Sequence, residues 1–260
     1  MAYSILMSVY NKERPEHLRA SVGSILAQTV AADDFVLVCD GPLTPELDKV
    51  IAEFGDKLNA IRLAENRGLA GALAEGINYC KHELVMRMDS DDLAVPERAE
   101  KQLSAMENVD ICGGVAAEFT DDISDSSMRR TLPLLHDEIA KFARRRNPFN
   151  HPAVMFCKSV VEASGGYDGE FPLAEDYYLW VRMIKAGARC ANLPDTLVYM
   201  RVGGGLYERR GGRKYYKDMK KFYRWLYQSG FSGYGDYLIC KGAQLMGAMF
   251  PRFMRKFLRK

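Results

Sequence analysis

Long uncharged apolar stretches are missing from this chain of 260 residues. No segment approaches the run of about 18 such residues that a membrane-spanning helix requires. The first residues also lack a basic region followed by an apolar stretch and a small-residue cleavage site, and residues 3–9 instead have the pattern of a strand. We therefore expect folding to begin at residue 3 and the protein to stay in the cytoplasm.

Closely spaced metal-binding or redox motifs are also missing. The six cysteines are widely separated without a Cys-x-x-Cys pair, and the four histidines do not cluster. We interpret the cysteines as reduced, mostly buried thiols rather than metal ligands or a redox pair. The chain also shows no internal repeat and no low-complexity tract.

A balanced distribution of charge is the third missing feature. Residues 201–260 contain fifteen Lys and Arg against three acidic residues, a charge of +12. The first 200 residues contain 21 basic and 31 acidic side chains, a charge of −10. The net charge of +2 therefore hides two regions that are expected to meet different partners.

Strand and helix patterns alternate through the first half of the chain. Apolar runs predict strands at 3–9, 35–39, 59–63, 83–88 and 109–115, and helical patterns fall at about 15–28, 44–55, 68–80 and 95–106. This βαβ series predicts an α/β fold with a mostly parallel, doubly wound sheet. Beyond it we expect a polar loop over 121–130, a short helix at 136–145 and a returning strand at 153–156.

Polar residues follow three of the predicted strands. They are Tyr-Asn-Lys at 10–12, Asp-Gly-Pro at 40–42 and Asp-Ser-Asp-Asp at 89–92. Ligands of such sheets bind at the carboxyl ends of the strands, and carboxylates this close repel one another unless a cation offsets the repulsion. Hard oxygen ligands suit Mg²⁺ or Mn²⁺ bound together with a nucleotide diphosphate. A solvated acidic turn that caps the helix after Pro96 is the alternative.

A second acidic pair, Glu175 and Asp176, begins a helix whose apolar side chains recur at 179, 180, 183 and 184. The start of a helix stabilises carboxylates, so ordinary helix-start charge is one interpretation and a catalytic pair is the other. His151, which precedes a proline, is interpreted as structural.

An ordered set of motifs runs along the chain: Met7-Ser8-Val9-Tyr10-Asn11, Asp40, Asn66-Arg67-Gly68-Leu69-Ala70, Asp89-Ser90-Asp91-Asp92, Gly165-Gly166-Tyr167-Asp168 and Glu175-Asp176. Taken together, these motifs strongly resemble the family 2 glycosyltransferases over about residues 3–200, in particular the bacterial enzymes that assemble O-antigen, capsule and exopolysaccharide units. The resemblance implies a GT-A fold (a Rossmann-like nucleotide-diphospho-sugar transferase), a nucleotide-sugar donor that is usually UDP-linked, and transfer with inversion.

The resemblance also implies a donor site. It puts Tyr10 and Asp40 at the nucleobase, with Asp40 accepting a hydrogen bond from the uracil ring nitrogen and Arg67 nearby. Asp89 matches the first acid of the DXD motif, which contacts ribose or metal-bound water. Asp91 matches the second acid, which ligates Mn²⁺ or Mg²⁺ bridging the diphosphate.

Catalysis is implied for the second acidic pair. Asp176 matches the family's catalytic base, which takes the proton of the acceptor hydroxyl as it attacks the anomeric carbon. Glu175 is expected to contact acceptor hydroxyls or to position Asp176. Three roles stay open for Asp92: orienting Asp91, contacting the donor sugar, or serving as the N-terminal charge of the next helix.

The basic end of the chain is predicted to be a separate, aromatic-rich helical extension over 206–260. It follows a catalytic domain at 1–205 with a nucleotide-sugar half at 1–116 and an acceptor half at 117–205. Glycines flank Arg209 and Arg210, which are expected to contact the donor diphosphate, a solvated linker being the alternative.

Aromatic and basic residues share the rest of the extension, including a candidate helix at 234–258 that Pro251 should kink or divide. We expect these helices to lie on an anionic membrane surface, where a lipid-linked acceptor is found, and we expect no nucleic-acid partner. Packing of a basic helix on the acidic body is the alternative.

The leading functional hypothesis is an inverting, metal-dependent glycosyltransferase, peripheral on the inner face of the cell membrane. It would move a hexose, with galactose or glucose favoured, from a UDP-sugar to an undecaprenyl-diphosphate-linked saccharide. A polyprenyl-phosphate hexosyltransferase is the enzymatic alternative. A nucleotide-sugar-binding membrane scaffold is the alternative that is not an enzyme.

Overall fold

A computed structural model describes residues 1–120, 122–126, 128–203 and 212–249. Its strands are β1 (Tyr3–Val9), β2 (Asp34–Cys39), β3 (Asn59–Arg62), β4 (Leu84–Asp89), β5 (Leu93–Ala94), β6 (Ile111–Phe119), β7 (Met128–Arg130), β8 (Met155–Cys157) and β9 (Cys190–Arg201). Its helices are α1 (Pro15–Leu26), α2 (Pro45–Phe54), α3 (Gly68–Gly76), α4 (Arg98–Met106), α5 (His136–Phe142), α6 (Lys158–Ala163), α7 (Glu175–Lys185), α8 (Gly212–Gln228) and α9 (Tyr234–Met249).

One mostly parallel sheet organises the described residues. Its strand order is β3-β2-β1-β4-β8-β6-β9-β5, and β7 pairs with β6. Parallel pairing joins β1 to β2 and β4, β2 to β3, and β6 to β9. Because β8 is antiparallel to both β4 and β6, these six strands all run in one direction. The predicted α/β class is confirmed.

The central strands are buried on both faces, as their continuous apolar sequences predict. On one face Ile5 and Met7 of β1 pack with residues of α1 and α2. On the other face Leu6 packs with side chains of α3 and α7. The register places Ser8 beside Asp89 and Val9 beside Cys39, so the polar residues that follow these strands meet at one edge.

The second half differs from the prediction most clearly at β9, a long strand that the sequence pattern did not indicate. Pro194 interrupts its polar and apolar alternation, and the pairing of β6 with β9 contains register shifts around Gly113 and Val115. Helix α4 also begins later than predicted, because Leu93–Ala94 form the short strand β5 against β9.

Helix α8 packs against the helix that carries the second acidic pair. Met219, Phe222 and Leu226 of α8 are buried in a cluster with Tyr177, Tyr178 and Val181 of α7. The apolar face of α8 is therefore covered by protein.

Helix α9 is tied to the segment after α5, because Arg145 Nε lies 2.5 Å from Asp236 Oδ1. Within the described ranges, no helix has the length and apolar character needed to cross a membrane.

Replacing Phe222 with Ala tests this packing. Phe222 is fully buried and its ring lies 4.6 Å from that of Tyr177 and 5.3 Å from that of Phe171. The cavity should lower the free energy of unfolding by about 3 to 5 kcal/mol, measured by urea denaturation. The control Leu238→Ala, at an exposed position of α9, should change it by less than about 0.5 kcal/mol. Equal losses in the two variants would contradict the packing.

Candidate active site

Helix α1 holds the acidic turn that follows β4. Ser21 Oγ donates to the carbonyl oxygen of Asp89 at 2.8 Å, and the hydroxyl of Ser24 accepts from the Ala94 amide at 3.0 Å. The two serines lie three residues apart and so share one face of the helix. This pair of contacts fixes both ends of the turn at the carboxyl edge of the sheet.

Three carboxylates of this turn converge. One ligand oxygen from each of Asp89, Asp91 and Asp92 lies within 4.8 Å of the others. Burial and the charge of Asp89 raise the pKa of Asp91 to about 7, and the same causes raise the pKa of Asp92 well above its ordinary value. Clustered oxygen donors that repel one another in this way fit a divalent cation.

The three acids have different surroundings. Asp89 forms an ion pair with Arg87. Asp92 is buried, and its Oδ1 accepts from the Arg201 amide at 2.8 Å, so it joins the turn to the end of β9. Asp91 makes no ion pair with any described residue, and this leaves it best placed to bind a cation. The structure thus shows a bridging role for Asp92, away from the start of α4.

Arg201 is a site residue that the sequence analysis missed. Its Nε donates to the Asp91 carbonyl oxygen at 3.1 Å, and its guanidinium lies 4.4 Å from the centre of the Phe119 ring. Its charge also contributes, after burial, to a lowered pKa for His17. The sequence offers no signal for this residue, because Arg201 ends β9, a strand that the sequence pattern did not indicate.

The predicted nucleobase site lies at the ends of β1 and β2. Tyr10 is exposed, whereas Asp40 is buried and its Oδ1 accepts from the Arg67 amide at 2.6 Å. Gly41 has a φ of +84°, and a Cβ there would lie 2.7 Å from the Asn66 amide nitrogen. Asp40 and Gly41 therefore hold the loop that carries Arg67 close to the sheet. Contacts of these residues with a nucleobase stay a prediction.

The second acidic pair begins α7, as predicted. Asn147, which the sequence analysis did not select, donates from Nδ2 to Asp176 Oδ2 at 2.7 Å. Asp176 Oδ1 accepts from the Tyr177 amide at 2.7 Å. Burial and the neighbouring Asp176 raise the pKa of Glu175 to about 8. At neutral pH Glu175 is therefore mostly protonated, and the side chain of Asp176 is held by two hydrogen bonds.

The Gly165-Gly166 turn points Tyr167 into the site. Both glycines have positive φ, +87° and +65°, and Arg182 donates to the Gly166 carbonyl oxygen at 2.5 Å. The Tyr167 hydroxyl lies 3.0 Å from Nε2 of His151. Burial lowers the pKa of His151 well below its ordinary value, so the ring is neutral.

Arg87 pairs with the first acidic site, and its charge acts on the second. It is paired with Asp89, and its charge acts on the pKa values of His151, Tyr167 and Glu175. The two carboxylate groups, about 85 positions apart in sequence, thus share one neighbourhood. A basic residue within the apolar strand β4, two positions before Asp89 and so on the same face, was the available signal. The predicted diphosphate contacts Arg209 and Arg210 lie outside the described residues.

The α/β sheet with carboxylates converging at its carboxyl edge has the fold of the GT-A glycosyltransferases. The chain belongs to glycosyl transferase family 2, because the model of that family matches residues 4–162.

Curated relatives match over nearly the whole chain. The amylovoran biosynthesis glycosyltransferase AmsE of Erwinia amylovora is 39% identical over 99% of this chain and 99% of its own length. A UDP-Gal:alpha-D-GlcNAc-diphosphoundecaprenol beta-1,3-galactosyltransferase of Escherichia coli is 35% identical over 99% of this chain and 95% of its own.

Solved structures of lower identity confirm the fold. TarS 1-349 of S. aureus in complex with UDP-GlcNAc has a TM-score of 0.66 at 14% identity, over 98% of this chain and 69% of that one. The mannosyltransferase PcManGT of Pyrobaculum calidifontis, in complex with GDP-Man and Mn²⁺, has a TM-score of 0.66 at 17% identity, over 98% and 78%.

The Glu175→Gln variant tests the raised pKa. Glu175 titrates at its ordinary value of 4.5 in the unfolded chain and at about 8 in the folded chain, so folding favours its protonated form. The stability due to this group is complete below about pH 4.5 and is lost as the pH rises to about 8. The variant should therefore gain stability relative to the native chain across this window and keep a constant difference above it.

Thermal unfolding of both metal-free proteins between pH 4 and about pH 10 measures the difference. Glu162→Gln, at an exposed position of α6, is the matched control and should follow the native chain at every pH. A constant difference between native and Glu175→Gln proteins over the whole range would show that Glu175 titrates normally.

Proposed function

We propose that the protein is an inverting, metal-dependent glycosyltransferase that moves a hexose from a UDP-sugar to a hydroxyl of an undecaprenyl-diphosphate-linked saccharide. One observation carries the proposal: Asp89, Asp91 and Asp92 cluster at the carboxyl edge of the sheet, and the charges of Arg87 and Asp89 act on Glu175 of the second acidic pair. A divalent cation with a diphosphate suits the first group, and a proton acceptor suits the second.

Asp176 acts as the base in this proposal. Asn147 and the Tyr177 amide hold its two oxygens, so the carboxylate has a fixed orientation at the start of α7. The helix start favours its ionised form. Asp176 takes the proton of the acceptor hydroxyl as that oxygen attacks the anomeric carbon opposite the leaving UDP, which gives inversion.

Departure of the diphosphate needs positive charge rather than a general acid. Asp91, with Asp89, would hold the Mn²⁺ or Mg²⁺, which supplies charge stabilisation for the leaving phosphates when bound. Arg201 adds a cation beside Asp91. Tyr10, Asp40 and Arg67 lie at the neighbouring strand ends, where the uridine would bind.

The names of the relatives support the substrate class. The Escherichia coli relative is named for transfer of galactose from UDP-Gal to a diphosphoundecaprenol-linked sugar, and the Erwinia amylovora relative for amylovoran biosynthesis. We favour galactose, then glucose, as the hexose on this basis. A panel of UDP-sugars with a short diphosphate-lipid acceptor and Mn²⁺, analysed by mass and then by NMR of the new linkage, tests the assignment. Absence of transfer from any UDP-sugar would contradict it.

Replacing Asp176 with Asn separates this reaction from transfer to a polyprenyl phosphate. A hydroxyl acceptor needs the base, so kcat should fall by about 10² to 10⁴. A phosphate nucleophile hardly needs it, so near-native kcat in the variant would favour the alternative. Binding of UDP, measured by calorimetry, should be unchanged. Asp56→Asn, an exposed carboxylate outside the site, is the matched control and should keep full activity.

The membrane contact is assigned to α9 rather than α8. Asp236 and Cys240 face Arg145 of the body, whereas Tyr234, Leu238 and Leu245, exposed by 60%, 44% and 52%, lie on the opposite side. An exposed apolar row on a chain end of +12 charge fits an anionic lipid surface.

Replacing Leu238 with Glu tests this contact. Loss of one buried leucine should lower the affinity for vesicles of phosphatidylethanolamine and phosphatidylglycerol about tenfold, measured by flotation. The matched control is Leu26→Glu, at an exposed position of α1, and should bind as the native chain does. Unchanged binding of the Leu238 variant would remove α9 from the membrane contact.

A further inference from the structure

Three consecutive arginines, residues 144–146, follow helix α5 and belong to neither acidic site. All three are exposed. Arg145 is paired with α9, because its Nε lies 2.5 Å from Asp236 Oδ1. The guanidinium groups of Arg144 and Arg146 form no ion pair and no hydrogen bond with any described residue. Both groups therefore have donors available for an anion that comes from outside the chain.

Three helices hold the segment that carries these arginines. The carbonyl oxygen of Ala143 accepts from the Tyr177 hydroxyl of α7 at 2.7 Å. The carbonyl oxygen of Arg145 accepts from the Tyr223 hydroxyl of α8 at 3.2 Å, and Cys240 Sγ of α9 lies 3.7 Å from the same oxygen. A segment bonded to α7, α8 and α9 keeps its exposed side chains over a fixed part of the surface, as a binding site requires.

One end of the segment reaches the proposed base. Asn147 follows Arg146 directly, and its Nδ2 donates to Asp176 Oδ2 at 2.7 Å. The Cα atoms of Arg146 and Asn147 are about 3.8 Å apart, and that of Arg144 lies at most about 11 Å from Asn147. An acceptor whose hydroxyl reaches Asp176 can therefore place another part of the same molecule, a sugar ring away, at these arginines.

The same segment also meets the helix with the exposed apolar row. Asp236 of α9 contacts Arg145, whereas Leu238 and Leu245 of that helix are exposed. The base, the arginines and the apolar row thus follow one another along bonded neighbours. A lipid-linked saccharide has the same order of groups: a hydroxyl, a sugar ring, a diphosphate and a lipid chain.

We propose that Arg144 and Arg146 form the subsite that binds the diphosphate of the lipid-linked acceptor. This assignment rests on the proposed function, which supplies the acceptor. Planar guanidinium groups match phosphate oxygens in paired hydrogen bonds, and their charge complements that of a diphosphate. The subsite is separate from the metal turn, which serves the diphosphate of the donor. It sets the distance between the lipid and the reacting hydroxyl.

The first measurement compares two acceptors in the double variant Arg144→Gln/Arg146→Gln. Both acceptors carry the same sugar, which is joined to a hexyl chain through a diphosphate in one and directly in the other. For the diphosphate acceptor, KM should rise about 30-fold while kcat stays within about threefold, because the lost contacts hold ground state and transition state alike. For the direct acceptor, KM should not change. An unchanged KM for the diphosphate acceptor, or equal rises for both, would overturn the proposal.

Lys57→Gln/Arg189→Gln is the matched control. It also removes two exposed cations, but they precede β3 and β9 at the amino edge of the sheet, opposite the acidic sites. Its kinetic constants should equal those of the native chain for both acceptors. A rise in KM for the diphosphate acceptor equal to that of the arginine variant would show a general effect of charge and overturn the subsite.

The second measurement is binding without turnover. Calorimetric titration with hexyl diphosphate, in the presence of excess UDP and Mn²⁺ to occupy the donor site, should show an affinity about 30-fold lower in the double variant. Arg146→Lys, which keeps the charge but loses the planar fork, should lower it about threefold. The affinity for UDP should be the same in all these proteins. Native affinity for hexyl diphosphate in the double variant would contradict the subsite.

Flotation with vesicles of phosphatidylethanolamine and phosphatidylglycerol distinguishes the acceptor from lipid headgroups. The arginine variant and the Lys57→Gln/Arg189→Gln control should bind these vesicles equally, because the apolar row of α9 is intact in both. Weaker vesicle binding confined to the arginine variant, with native affinity for hexyl diphosphate, would assign the arginines to headgroups and overturn the proposal.

These measurements separate the subsite from the proposed function. A protein that transfers no sugar, but whose affinity for hexyl diphosphate falls in the arginine variant, would refute the reaction and keep the diphosphate subsite. A protein that transfers sugar with the same KM for the diphosphate acceptor in the native chain and the variant would keep the reaction and refute the subsite.

Discussion

Repulsion among carboxylates is the constraint that organises this site. Five acidic side chains, three from the turn after β4 and two from the start of α7, share one neighbourhood at the edge of the sheet. Such a group loses stability unless protons, cations or hydrogen bonds offset the charge. All three are present: protonation of Glu175, the cation of Arg87, and the donors Asn147 and the Arg201 amide.

The fold makes this arrangement possible because the acidic residues lie at the ends of the strands, away from the buried apolar core. Six strands run in one direction, so their carboxyl ends lie at the same edge of the sheet, while the apolar residues before them are buried between helices. The repulsion among the acids is thus confined to the places where the chain leaves the sheet. Helix α1 holds one of these places, the turn after β4, through Ser21 and Ser24. A charged ligand could then bind at this edge without disturbing the core.

The parts of this structure that the sequence predicted are those with local signals. The βαβ pattern, the acids after β4 and the pair at the start of α7 each depend on neighbouring residues, and the class of fold followed from them. Strand β9 and the contacts of Arg201 depend instead on pairing between residues about 80 or more positions apart, which no periodicity encodes. Arg87 is recognisable in the sequence as a charged residue within an apolar strand. Its effect on His151, Tyr167 and Glu175, which are distant in sequence, is seen only in the structure.

Helix α8 holds the second acidic pair in place through its packing against α7. Helix α7 packs on the sheet through Leu179, Trp180 and Met183, and on α8 through Tyr178 and Val181. A helix that is buried on two sides cannot easily change its direction. This packing therefore adds to the hydrogen bonds from Asn147 and the Tyr177 amide that orient Asp176. The aromatic residues of α8, which resemble a membrane-binding face in sequence, therefore pack against α7. The apolar row that stays exposed is the one on α9.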